Sequence, residues 1–255
     1  MSEKKNNVLR ENVSFKELKK ARDLKCKNLP IEYKPLSKIS PYVSYFLLKF
    51  TSFTPNQVSF IWGVIGLISV LIMSLGGYWN LLIGILLYHF AVLLDYVDGD
   101  MSRAIKKTTL GGTYLDFVFS WMLRALLMLG LGIGLYNTNG NVIYFYLGIW
   151  TSTLLLLDNI NKLKVHETLA SKGKFDLLKK MVMKTNKMKM PKTILEKIKF
   201  YGPRFLTPNG MFSLLFFSIV FNVSQYYLIL MSVIIPLFLL RNFREIYKSI
   251  GNVAG

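Results

Sequence analysis

Cysteine is nearly absent: Cys26 is the one cysteine in 255 residues, so the chain can form no internal disulfide. Segment 1–27 lacks the apolar stretch of a signal peptide. No cleavable leader is therefore expected, and insertion into a membrane would rely on the first internal hydrophobic segment. Three connections between hydrophobic runs, around 77–79, 137–141 and 222–224, contain no lysine or arginine. That gap is informative in a chain with 32 lysines and arginines against 14 acidic residues and a net charge of +18.

Apolar residues are instead concentrated in six segments, approximately Gln57–Gly77, Asn80–Met101, Gly112–Tyr136, Val142–Asn159, Asn209–Asn222 and Gln225–Leu240. At 1.5 Å per residue the first four can cross a hydrocarbon layer of about 30 Å, the fourth only just. The fifth is short and the sixth marginal. The compact polar turn Asn222–Gln225 favours two spans over a re-entrant pair. The expected fold is all-α: a polytopic membrane bundle of six transmembrane helices with an N-terminal cytoplasmic amphipathic helix. It divides into an N-terminal region 1–50, a membrane domain 51–245 with a basic loop 160–208, and a tail 246–255.

The basic residues fix an orientation. The N-terminal region holds 12 of the 32, the second connection holds Arg103, Lys106 and Lys107, segment 160–208 holds 13, and the tail holds Arg241, Arg244 and Lys248. Arg124 alone lies inside a span. By the positive-inside rule both termini and the basic loops face the cytoplasm. The charge is accounted for by topology and contact with anionic lipid. Nucleic-acid binding is not expected, because the basic residues abut spans and form no recognisable nucleic-acid module.

Outside the spans, Ser37–Phe50 has apolar residues at helical spacing with lysines at its edges, which predicts an interfacial amphipathic helix. Lys179–Lys199 is rich in lysine and methionine around Pro191 and reads as a surface-lying or partly disordered loop. Thr-Pro-Asn occurs twice, at Thr54–Asn56 and Thr207–Asn209, each time before an apolar run. Threonine as N-cap followed by proline is a good helix start and explains both copies.

The acidic residues carry the functional signal. Asp95 and Asp98 share a helix face at i, i+3, and Asp116 opens the next span at the same membrane boundary. Ionisable groups in a span are costly and line polar cavities or pathways. Three neighbouring carboxylates repel one another unless a cation joins them, and oxygen-only ligands suit Mg²⁺, Mn²⁺ or Ca²⁺. Gly99 lets backbone approach a ligand closely, and Arg103 can pair with a phosphate or with the carboxylates. These residues alone suggest a metal-dependent site for a phosphorylated ligand, without giving the reaction. A transporter is disfavoured because the carboxylates sit at one face rather than near the midplane.

The spacing Asp95-x2-Asp98-Gly99-x2-Ser102-Arg103-x8-Gly112-x3-Asp116-x3-Ser120 resembles the signature of the CDP-alcohol phosphotransferase (CDP-alcohol phosphatidyltransferase) family, D-x2-D-G-x2-A-R-x8/9-G-x3-D-x3-D. Thr54-Pro-Asn-Gln-Val-Ser59 is similar to the family's T-P-N-x-x-T/S start of span 1. The resemblance covers about residues 35–160, and the rest matches in layout. It implies metal-dependent transfer of a phosphoalcohol group from a CDP-linked alcohol to an acceptor hydroxyl, with release of CMP, in phospholipid biosynthesis. The donor implied is a CDP-diacylglycerol-like lipid, the acceptor a small polar molecule, the metal Mg²⁺ (or Mn²⁺) and the assembly a homodimer.

Carried over by position, Asp95, Asp98 and Asp116 would hold metal. Asn56, Ser59, Gly99, Arg103 and Thr109 would meet the donor nucleotide or its phosphates. Lys106, Lys107 and Arg124 are candidates for a phosphorylated acceptor on charge alone. The chain departs from the signature twice. Ser102 replaces alanine, a mild change. Ser120 replaces the fourth aspartate, the family's proposed general base, and serine needs its own activator to take a proton. Either Asp116, Asp100 or water takes the proton, or the acceptor needs no base, or the chain is a binding protein or partner subunit with little turnover.

Overall fold

The computed structural model describes residues 13–26, 34–105, 109–171, 173 and 210–254. Eight α-helices and no strand occur among them. In chain order they are α1 (Phe15–Cys26), α2 (Lys34–Phe50), α3 (Pro55–Ser74), α4 (Tyr78–Ala104), α5 (Leu110–Asn139), α6 (Ile143–Ser171), α7 (Met211–Val220) and α8 (Ser224–Ala254). Lys106, Lys107, the second Thr-Pro-Asn and the Lys/Met-rich run all lie outside the described residues. Contacts divide the chain into two compact units, Met1–Leu123 and Arg124–Gly255.

Five stretches are long and apolar enough to cross a bilayer: α3, α4, α5, Ile143–Val165 of α6 and Ser224–Arg244 of α8. The protein is thus a polytopic helical membrane protein, as expected. Five such stretches among the described residues stand against the six expected. Among the described residues the fifth expected segment forms only the 10-residue α7, about 15 Å long and half a hydrocarbon thickness. Helix also continues beyond two expected boundaries, to Ser171 in α6 and to Ala254 in α8.

In the first unit, α3 begins where the sequence indicated. The Gln57 amide donates to Thr54 Oγ1 at 3.3 Å and the Thr54 amide donates to Gln57 Oε1 at 2.8 Å, with Pro55 following the cap. This reciprocal box satisfies two amides that a helix start leaves open. The reversal into α4 uses Gly76 and Gly77, at φ 77° and 79°, a region that side chains disfavour.

The amphipathic helix forms as α2, with a division of faces that hydropathy alone does not reveal. Ile39, Tyr42, Phe46 and Phe50 are exposed, as an interfacial helix requires. The buried face is built largely from Ser37, Ser40 and Ser44. Small hydroxyls let α2 lie close to α4, where Ser44 Oγ donates to the Val97 carbonyl at 3.3 Å. Pro41 inside α2 has no amide for the Ser37 carbonyl. Arg22 Nη1 of α1 donates to that oxygen instead, at 3.2 Å. Phe15 of α1 meets Tyr42 at a tilt and Tyr45 edge-on, with ring centroids 4.9 and 5.8 Å away.

The second unit solves the same proline problem within the apolar layer. Pro236 in α8 leaves the Ser232 carbonyl without its helical donor. Trp150 Nε1 of α6 donates to that oxygen at 3.1 Å, where lipid could offer nothing. The backbones of α5 and α6 touch at Gly132 and Gly148: a Cβ on Gly132 would lie 2.6 Å from Gly148 Cα. Such small-residue crossings are the usual way membrane helices gain packing. The α7–α8 turn closes on Asn222 at φ 56°, with the Val223 amide on the Ser218 carbonyl at 2.7 Å and the Asn222 amide on Ile219 at 2.9 Å. This is a Schellman ending with asparagine in the left-handed position. Tyr227 Oη donates to the Met211 carbonyl at 2.8 Å and ties α8 back to α7.

Trp150→Phe should keep an aromatic ring at this site, with some loss of volume, and leave the Ser232 carbonyl unmet. An interhelical bond of this kind contributes about 1 kcal/mol. Thermal unfolding in detergent should show that loss, and an unchanged unfolding free energy would mean the carbonyl does not depend on the indole.

Candidate active site

The residues marked in the sequence come together from three helix ends of the first unit. The N-terminal turns of α3 carry Asn56, Ser59 and Trp62. The last turns of α4 carry Asp95, Asp98, Gly99, Asp100 and Arg103. The start of α5 carries Gly112, Asp116 and Ser120, with Thr109 just before it.

Asp98 is the most enclosed of the three expected metal ligands, at 8% exposure. Its Oδ2 accepts from Ser59 Oγ at 2.6 Å and from Trp62 Nε1 at 3.1 Å. A carboxylate in low-dielectric surroundings needs such donors. Ser59 was expected beside the bound donor, and the structure joins it to Asp98. Trp62 was not anticipated, because an indole within an apolar run reads as bulk. Its ring also meets Phe119 of α5 edge-on at 5.6 Å.

Asn56 and Thr109 meet as well. Thr109 Oγ1 donates to Asn56 Oδ1 at 3.0 Å and accepts from the Gly112 amide at 3.0 Å. Thr109 therefore caps the start of α5 and links it to the start of α3. Gly112 is required by this contact: a Cβ there would fall 2.5 Å from Asn56 Oδ1.

At the other face of α4, Arg103 Nη2 donates to Asp100 Oδ1 at 2.7 Å, and Ser40 Oγ donates to Asp100 Oδ2 at 2.6 Å. Both Asp100 oxygens are engaged and the residue is 1% exposed, which is a poor arrangement for a general base. Gly99 was read as room for a ligand. The structure adds a second use, since a Cβ there would lie 3.1 Å from Arg103 Nη1. The Ser102 hydroxyl turns back to the Gly99 carbonyl at 3.1 Å, so this departure from the signature stays within its own helix.

Asp116 is exposed, and Ser120 Oγ, one turn on, donates to Asp116 Oδ1 at 3.3 Å. Asp95 is partly buried in α4. Among the described residues no three acidic, histidine or cysteine side chains are gathered closely enough to hold a metal ion. The donor chemistry of Asp95, Asp98 and Asp116, carboxylate oxygen throughout, fits a hard divalent cation. Arg124 lies farther along α5, partly buried and in the second unit.

Ser59→Ala and Trp62→Phe should each remove one donor from the buried Asp98 carboxylate. Each should lower stability by about 1.5–3 kcal/mol, the scale of a hydrogen bond to a charged group. Chemical denaturation in mixed micelles measures this, and unchanged stability in both variants would contradict the geometry.

Comparison with curated proteins gives no match. The family model for CDP-alcohol phosphatidyltransferase matches residues 52–240, which takes in both units and reaches well past the segment where the signature lies. That family transfers phosphatidyl-type groups in lipid synthesis and is generally dependent on divalent metal. With the signature on the ends of α4 and α5, the Thr-Pro-Asn element at the start of α3 and the family match running through most of the sequence, the chain belongs to the CDP-alcohol phosphatidyltransferase family.

Proposed function

We propose that the protein transfers a phosphoalcohol group from a CDP-linked alcohol, a CDP-diacylglycerol-like lipid, to the hydroxyl of a small polar acceptor, and that CMP leaves. The observation that supports this most is the junction of Ser59 with Asp98. The Thr-Pro-Asn element and the signature, nearly forty residues apart, meet at 2.6 Å on a buried carboxylate. The proposed orientation puts this end of the helices at the cytoplasmic surface, in agreement with the basic residues around it. We also propose that the active form is a homodimer, as the family resemblance implies.

Asp95, Asp98 and Asp116 would hold the Mg²⁺ or Mn²⁺ that the family requires, and the cation would neutralise charge on the donor diphosphate. Arg103 would bind a phosphate oxygen through its guanidinium. Asn56 and Thr109, joined at the starts of α3 and α5, would border the nucleotide. The acceptor proton needs a destination, and Ser120 cannot take it unaided. Asp116 is the carboxylate supported for that role, because it is exposed and stands one helical turn from Ser120, beside the position of the family's base.

The test is CMP release from CDP-diacylglycerol by the full chain in lipid nanodiscs, across a panel of acceptors, with Mg²⁺ and after chelation. Release should require the metal, and Asp98→Asn should abolish it. Ser120→Asp should raise turnover, by as much as the ~10²-fold that a general base typically contributes. Bound CDP-diacylglycerol with no CMP from either the native chain or Ser120→Asp would instead mark the chain as a binding protein or partner subunit.

A further inference from the structure

We infer that Asp100 is a positioning residue for Arg103, and that Ser40 of the amphipathic helix holds Asp100 in place, so that α2 is a working part of the donor-phosphate site. The inference rests on the proposed function. It adds residues on which the signature is silent, since Asp100 occupies one of its open positions and Ser40 lies outside it.

Asp98 and Asp100 are two residues apart on α4 and so point to opposite sides of the helix, roughly 200° apart. Asp98 turns to α3, where Ser59 and Trp62 meet it, and Asp100 turns to α2, where Ser40 meets it. Asp100 therefore stands apart from the proposed metal ligands. Arg103, one turn on, is within its reach at 2.7 Å. The Ser40 hydroxyl has one proton and two acceptors in range, Asp100 Oδ2 at 2.6 Å and the Ser37 carbonyl at 3.2 Å. The shorter, charged partner is the stronger one. Ser40 is fully buried, which keeps water from competing.

The guanidinium is held at one corner only. Its Nη2 is committed to Asp100, whereas its buried Nε has no hydrogen-bond partner among the described residues. A buried donor left unmet is costly. The Arg103 side chain is still 28% exposed, so an oxyanion can reach its open edge without breaking the Asp100 bond. The bare glycine at 99 admits the guanidinium in this position, since a Cβ there would lie 3.1 Å from Nη1. An arginine set this way has already lost most of its rotamer freedom, which otherwise costs affinity on binding. The serine face of α2 also acquires a reason. A helix that only lay on the membrane would need no buried hydroxyl aimed at a carboxylate of α4.

The experiment is CDP binding by calorimetry, in the presence of Mg²⁺, on the full chain in nanodiscs, and it needs no knowledge of the acceptor. Arg103→Ala, Asp100→Asn and Ser40→Ala should each weaken CDP by about tenfold or more, the scale of a hydrogen bond to a charged group. The double variant Asp100→Asn/Arg103→Ala should bind no more weakly than Arg103→Ala alone. A residue that merely stabilised the fold would lower the unfolding temperature and weaken CDP additively. If Asp100→Asn does not fold, Ser40→Ala carries the test by deleting a single hydroxyl. Loss of CDP binding in Arg103→Ala with native affinity in Asp100→Asn and Ser40→Ala overturns the inference and spares the proposed function. No CDP binding by the native chain overturns both.

Discussion

Putting a carboxylate at the end of a membrane helix is costly unless donors meet it, and α4 buries two. Asp98 and Asp100 are 8% and 1% exposed. Each needs hydroxyl, indole or guanidinium hydrogens supplied from its surroundings. That requirement explains much of the first unit. It draws the start of α3 onto one side of α4 through Ser59 and Trp62. It draws α2 onto the other side through Ser40, and it turns Arg103 back along its own helix. Apolar packing could hold these helices together, but it would not set their register at α4's last turns.

Three helices converge there because their ends, rather than their middles, carry the polar groups. Thr54 and Thr109 cap α3 and α5, and each cap is one residue type placed where the backbone leaves amides open. The Asn56–Thr109 bond then ties the first turn of α3 to the cap of α5. An anionic ligand of the proposed kind would arrive at helix N-termini, whose amides and dipoles favour negative charge. The acidic residues of α4 would hold the cation that such a ligand brings.

Much of this was legible in the sequence. The long apolar runs marked the spans because their lengths match the bilayer. The Thr-Pro-Asn start of α3 was readable because capping is local chemistry. Asp98 was marked by signature spacing, Asn56 and Ser59 by the Thr-Pro-Asn element, and Thr109 by the family resemblance, and the structure brings them together in two pairs. Other features left little trace. Serine has no strong hydropathy, so the buried stripe of Ser37, Ser40 and Ser44 was hidden behind the aromatic face of α2, although its i, i+3, i+7 spacing was available. Trp62 read as apolar bulk, while its indole hydrogen is what Asp98 uses. The carbonyls freed by Pro41 and Pro236 could be foreseen, but the side chains that meet them, Arg22 and Trp150, come from neighbouring helices. The fifth segment was counted as a span on composition, and its described helix is too short to be one.

The central claim is that Asp98 belongs to a cation and nucleotide site, rather than serving only as a buried tie between α3 and α4. Electron paramagnetic resonance of Mn²⁺ titrated into the full chain in nanodiscs, with and without CDP, addresses it directly. The account expects bound Mn²⁺ whose affinity rises when CDP is present, and loss of that signal in Asp98→Asn protein that remains folded. Mn²⁺ binding that is indifferent to CDP and unchanged in Asp98→Asn would contradict it.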